Sequence, residues 1–262
     1  HRPRTPDDLA VQAPIARAVA TAFRIPIIQH KGYEADDVIG TITCRGKEAG
    51  YDVLVVTGDH DALQLVNDHV KVLMTRRGVT DAEIYDVAGV EARYGLKPEQ
   101  LPDFKALKGD TSDNIPGIAG IGDKTATSLI GQYGSLEALL EHLDQLKPGR
   151  VRTNLTEGKE NALIYKRLAT IVTDLPLETP LEQWQYSGPD VPELLKLFRH
   201  LEFRTLGRRL EALFPPGKRG AGADQSVGTG AELTFRRPAP DEDLAEWVRR
   251  ARQEPVIALR TL

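Results

Sequence analysis

Apolar positions in this chain recur at two different periods, and the switching between them predicts its elements. Leu9, Ile15, Val19 and Phe23 share a helical face behind the capping acids Asp7 and Asp8, predicting a helix to about residue 23. Ile25-Pro26-Ile27-Ile28 predicts a strand over 25–28. Val38, Ile39 and Ile42 return to helical spacing in a helix that Gly50 closes. The unbroken run Val53-Leu54-Val55-Val56 predicts a strand buried on both faces. A short helix with Leu63 and Leu65, a strand over 70–74 and helices over 86–94 and 99–107 follow. Short strands alternating with helices argue for an α/β fold with a largely parallel sheet flanked by helices. Beyond residue 123 the strand signals stop, and 124–131, 135–143, 159–169, 191–201 and 203–214 all carry helical periodicity.

Residues 215–231 are glycine-rich with hardly a large apolar side chain, the composition of a flexible linker. After it come a strand over 233–235, a helix over 244–251 and a strand over 256–259. About thirty residues cannot bury a core of their own, so 232–262 is expected to open a further domain. The chain starts at His1 and ends on an apolar stretch, as a piece of a longer polypeptide would.

Composition narrows the class only a little. A 40% hydrophobic content in 262 residues is enough for a core, and no apolar run approaches a membrane span. Residues 1–24 lack the apolar stretch of a secretion signal. The single cysteine, Cys44, excludes an internal disulfide and fits a reducing, cytoplasmic location. The six histidines show no ligand spacing, and His60 and His69 are expected at the surface or in packing. A net charge of −4 looks wrong for a nucleic-acid binder, but the acids are concentrated where a metal would offset them.

That concentration carries the chemistry. Gly32-Tyr33-Glu34-Ala35-Asp36-Asp37 puts three carboxylates into the first turn of a helix. One acid there is explained by the helix dipole; three repel one another and call for a cation. Thr57-Gly58-Asp59-His60-Asp61 follows a buried strand, at the strand end where sites form in open parallel sheets. Asp110 and Asp113 form a third group in Lys108-Gly109-Asp110-Thr111-Ser112-Asp113-Asn114-Ile115-Pro116. Each group alone is ordinary capping or surface chemistry; three at element boundaries suggest one convergent site. Oxygen-only ligands point to Mg²⁺ or Mn²⁺ rather than zinc. Two such ions about 4 Å apart are the usual engine of phosphodiester hydrolysis.

Gly117-Ile118-Ala119-Gly120-Ile121-Gly122-Asp123-Lys124-Thr125-Ala126 permits a tight turn feeding a helix N-terminus, where a phosphate can rest on backbone N–H groups. The pattern is that of a helix-hairpin-helix, and its glycine spacing excludes a P-loop. Such contacts position nucleic acid without reading its sequence. Lys147, Arg150, Arg152, Lys159, Lys166 and Arg167 could line a phosphate track, or form a solvated face equally well.

With these motifs in this order, residues 1–214 resemble the 5′-nuclease domain of bacterial DNA polymerase I, a relative of the flap endonucleases. The resemblance implies a PIN-like nuclease core over 1–114, a helix-hairpin-helix and helical DNA-binding region over 115–214, the linker 215–231, and the start of a 3′-5′ exonuclease-like domain over 232–262. It implies cleavage of 5′ flaps and 5′-to-3′ primer removal in replication and repair, with two Mg²⁺ (or Mn²⁺) ions. Glu34 and Asp36 would then hold the first metal, with Asp37 between or just behind the sites. Asp59, Asp61, Asp110 and Asp113 would surround the second. Gly117, Gly120, Ile121, Gly122, Lys124 and Thr125 would grip the duplex backbone, with a bridging K⁺. Expected partners are flapped, nicked or primer-bearing DNA and a polymerase module of the same chain, with no membrane.

The chain departs from that family at both ends. The family's first metal-binding strand and most of its helical arch would precede His1, and residues 1–6 look like the tail of the arch. Without that strand the chain could be a DNA-binding scaffold that does not cut. At the other end, Arg260 and Leu262 stand where proofreading relatives carry Asp-x-Glu, so the domain opening at 232 is expected to be inactive. A phosphatase acting on small esters would explain the carboxylates but leaves the hairpin idle.

Overall fold

The computed structural model describes residues 6–75, 82–178 and 180–215, together with the backbone of 257–260. All but Pro6 of the expected arch tail at 1–6, the loop 76–78, nearly all of the linker, the strand 233–235, the helix 244–251 and Leu262 lie outside the described residues.

The helix expected to run to residue 23 is broken in two, α1 (Asp7–Ala10) and α2 (Ala13–Ala22). Pro14, at the start of α2, lacks the N–H that a continuous helix would need there. Residues 25–28 form no strand, and Ile25 and Ile27 are exposed. Pro26 removes a ladder donor from that short run. Then come α3 (Ala35–Glu48), β1 (Val53–Thr57), a 3-10 helix (His60–Leu65) and β2 (Val70–Thr75). Next is β3 (Ala82–Tyr85), which its sequence did not announce. The helices α4 (Val87–Tyr94), α5 (Leu101–Lys108), α6 (Asp123–Tyr133) and α7 (Leu136–Glu141) follow. Then come α8 (Arg150–Glu157), also unforeseen, α9 (Lys159–Ala169), α10 (Val191–His200), α11 (Arg204–Leu213) and β4 (Ile257–Arg260). Among the described residues no helix is long and apolar enough to cross a membrane.

The sheet has the order β3-β2-β1-β4. β1 pairs in parallel with β2 and β4, and β3 runs antiparallel to β2, so the sheet is largely parallel as expected. Val53 and Val55 lie opposite Val70 and Val72 and are fully buried, as an unbroken apolar run requires.

The chain divides into two compact units, His1–Gln29 with Glu178–Gly230, and His30–Leu177 with Ala231–Leu262. In the first, Ala22 of α2 packs with Leu194 and Phe198 of α10 and Leu210 of α11. Asp190 caps α10 through Glu193 N–H and donates its own N–H to Ala22 O at 2.7 Å. In the second unit one core joins the sheet to Ile39, Leu63, Val90 and Leu101. Another joins Phe104 and Leu107 of α5 to Ile118, Ile121, Leu129, Leu139 and Leu155.

Within the second unit, residues 171–177 run as a strap along α3. Asp37, Thr41 and Arg45 stand four residues apart and so share one helix face. Asp37 Oδ1 accepts from Val172 N–H (2.9 Å), Thr41 Oγ1 accepts from Leu175 N–H (3.1 Å), and Arg45 donates to Leu175 O and Leu177 O. Gly40 lets the strap lie close, since a Cβ there would fall 3.0 Å from Val172 O. Arg45→Ala should remove about 2 kcal/mol of stability, because charged hydrogen-bond donors are lost to two carbonyls. Urea unfolding would measure the loss, and amide exchange at Val172 and Leu175 should accelerate with it.

Candidate metal centre and backbone hairpin

β1 delivers Thr57 to the carboxyl edge of the sheet, and the chain turns there through Gly58. Asp59 N–H donates to Thr57 Oγ1 (3.0 Å), and Asp59 Oδ1 accepts from Asp61 N–H (2.9 Å), capping the 3-10 helix. That cap aims the Asp61 side chain into a cleft of about 590 Å³. Lys105, Lys108 and Asp110 line the same cleft.

Asp110 arrives on a loop pinched shut at its base. Asp110 and Ile115 exchange both backbone hydrogen bonds at 2.8 Å, and Asn114 turns the loop in the left-handed region at φ 56°. Beneath the pinch, Gly109 (φ 90°) and Gly117 (φ 70°) face each other across backbone. A Cβ on Gly109 would fall 2.7 Å from Pro116 O, so neither position has room for a side chain. The motif's glycines thus hold the base of the loop that carries Asp110 and Asp113.

Asp61, Asp110 and Asp113 each offer a carboxylate oxygen within 4.8 Å of the others. Lys105 of α5 sits among them, its ammonium against Asp61 and 2.7 Å from Asp110 Oδ2. The two carboxylates respond oppositely. Burial pushes Asp61 up to about 7 despite Lys105, with Asp59 and a hydrogen bond to Asp113 adding to the rise. Burial also opposes ionisation of Asp110, but Lys105 and the Ser112 hydroxyl and N–H outweigh it and hold Asp110 down at about 2. Hard oxygen donors gathered this closely, held partly out of water, suit a divalent cation of the Mg²⁺ class.

Of the other expected ligands, Asp59 lines the same cleft, while Glu34, Asp36 and Asp37 stand at the start of α3. Among the described residues the close acidic group does not include Glu34, Asp36, Asp37 or Asp59. Glu34 is exposed at the N-cap of α3 and Asp36 is half-buried in its first turn. Both oxygens of Asp37 are committed to backbone, accepting from Glu34 N–H (3.1 Å) and Val172 N–H (2.9 Å). His60 Nε2 lies 3.0 Å from Arg93, and His69 Nδ1 lies 3.2 Å from Asp52.

α5 supplies what the sequence reading missed. Lys105 lies in a run of otherwise buried positions, Leu101 to Leu107, and only its carboxylate partners in space single it out. Asp103, only 3% exposed, binds Lys166 of α9 at 2.6 Å, and Lys166 also binds Glu137 of α7 at 2.7 Å. One residue of the basic track is therefore a clasp between helices.

At the hairpin, Ile118 and Ile121 are buried beneath exposed Gly120 and Gly122, and Gly120 turns the chain at φ 79°. Ile121 N–H donates to Ile118 O at 3.0 Å. Gly122 caps α6, with Lys124 and Thr125 in its first turn. Asn154 of α8 donates to Ala119 O (2.6 Å), bracing the turn. Gly117 serves the loop beneath Asp110 rather than the exposed turn.

Two family descriptions match consecutive stretches: "5′-3′ exonuclease, N-terminal resolvase-like domain" over residues 1–95, and "5′-3′ exonuclease, C-terminal SAM fold" over 96–192. DNA polymerase I of Bacillus caldotenax is 42% identical over 211 residues, covering 80% of this chain and 24% of that protein. The chain thus spans about a quarter of the length of such curated relatives. T5 5′-exonuclease with bound divalent zinc ions aligns at 24% identity and TM-score 0.54, covering 65% of this chain and 64% of that one. The catalytic core of Rad2 in complex with a DNA substrate aligns at 15% identity and TM-score 0.53, covering 80% and 71%. These likenesses show a shared fold.

The raised value of Asp61 sets a pH dependence of the metal-free protein. Ionising Asp61 opposes folding, so the penalty is absent below 3.8, grows toward about 7 and is complete above it. Asp61→Asn should therefore melt higher than the parent in chelator at alkaline pH, the difference closing as pH falls through that window. Melting temperatures across pH read this directly.

Proposed function

We propose that this chain, which belongs to the 5′-3′ exonuclease family, hydrolyses DNA phosphodiesters as a divalent-metal-dependent 5′-3′ exonuclease and flap endonuclease. The observation that carries this reading is the convergence of Asp61, Asp110 and Asp113 in a cleft at the carboxyl edge of the sheet. Asp61, Asp110 and Asp113, with Asp59 beside them, would hold one Mg²⁺, and Glu34 and Asp36 would face another. When bound, such ions lower the pKa of water and stabilise the departing oxygen of a phosphodiester. The chain's own groups do the rest. The pinched loop keeps Asp110 and Asp113 in register, and Asp37 orients Glu34 through the capping box of α3. The 119–124 turn offers N–H groups at the start of α6 to a duplex phosphate, with Lys124 and Arg150 near it. K⁺ at that turn, a polymerase module in the same chain, DNA bearing flaps, nicks or primers as substrate, and a cytoplasmic setting complete the reading.

A second reading, a DNA-binding scaffold without catalysis, is favoured by one observation: Lys105 already offsets part of the acidic charge. A 5′-labelled flap separates the two. Asp110→Asn should lower Mg²⁺-dependent cleavage more than about a hundredfold while leaving flap affinity in Ca²⁺ within about tenfold. Equal loss of both would refute the ligand role, and parent protein that binds but never cuts would favour the scaffold. Gly120→Val forces a β-branched residue into φ 79° and should weaken binding to flaps of every sequence alike. A sequence-selective loss would mean that bases are read at the turn.

A further inference from the structure

The cation among the three clustered carboxylates comes from the chain itself. Lys105 Nζ touches Asp61 and lies 2.7 Å from Asp110 Oδ2, and its side chain is only 15% exposed. Its helix is anchored independently of that contact. Leu101, Phe104, Ala106 and Leu107 are buried in the cores, and Asp103 is tied to Lys166. The ammonium, by contrast, is a compact charge on a flexible stem with a cleft beside it. It can therefore leave the carboxylates without moving α5. The oxygens it engages are those that a hard divalent ion would require.

We propose that Lys105 is a positioning residue that stands in for a divalent cation, holding Asp61 and Asp110 together in the metal-free protein and withdrawing when the ion binds. This rests on the metal reading of the same cluster. The ion's affinity is reduced by the contacts it must break, so the site is pre-shaped but modest in strength. A purely structural ion pair would instead persist when metal arrives.

The test reads the side chain and the ion separately. Lysines of the unsubstituted protein are acylated in chelator and in Ca²⁺, and modification is located by mass spectrometry, with exposed Lys124 as internal standard. Lys105 should be protected in chelator and become reactive in Ca²⁺. In parallel, Mn²⁺ binding is measured by calorimetry at mildly alkaline pH. Lys105→Met should bind Mn²⁺ about tenfold more tightly than the parent, and Lys105→Arg should return toward the parent value. Equal Mn²⁺ affinity in parent and Lys105→Met, with Lys105 protected in both media, overturns the proposal alone. No Mn²⁺ binding by any form overturns the metal reading and the proposal with it. Labelling needs no substitution, so it decides the matter even if Lys105→Met fails to fold.

Discussion

Holding like charges together is the constraint on which the rest of this structure depends. Ionised carboxylates with oxygens within 4.8 Å of one another repel by about 3 kcal/mol or more per pair at an effective dielectric of about 20, less where Asp113 is open to water. A folded chain tolerates this only if a proton or a cation intervenes and the backbone cannot relax away. Here all of these operate: Asp61 tends to keep its proton, Lys105 supplies a charge, and the bridged loop over facing glycines denies Asp110 a retreat.

α5 gathers these demands into one short helix. Asp103 clasps α9 and α7 through Lys166, Lys105 enters the carboxylate cluster, and Lys108 reaches Asp123 at the head of α6 at 3.0 Å. Phe104 and Leu107 bury the same helix in the core that carries the hairpin. The exposed glycine turn and the acidic cleft are consequently set from one rigid element. The strap over α3 adds a second tie, because the chain leaving α9 is bound by Asp37, Thr41 and Arg45.

Much of this was legible in the sequence because it is local. The buried run at 53–56, the capped helix behind Asp36 and Asp37, and the hairpin glycines each obey a short-range rule and appear where expected. What was not legible depends on contacts distant in the chain. Ile25-Pro26-Ile27-Ile28 has strand composition, yet a strand needs a neighbour, which no local pattern reveals. β3 forms because β2 offers an edge, and α8 carries too few apolar positions to announce itself. In the site, Asp37 looked like its neighbours, but its bond to Val172 lies 135 residues away in sequence. Lys105 and Lys166 read as ordinary helix cations until their carboxylate partners are seen in space.

On the reading proposed above, Asp61, Asp110 and Asp113 form a divalent-metal site at the edge of the sheet. Anomalous diffraction from crystals soaked in Mn²⁺ tests it most directly. A site shared by the three carboxylates gives a peak within coordination distance of oxygens from all of them. A map with no peak among them, or with Mn²⁺ confined to Glu34 and Asp36, would contradict it.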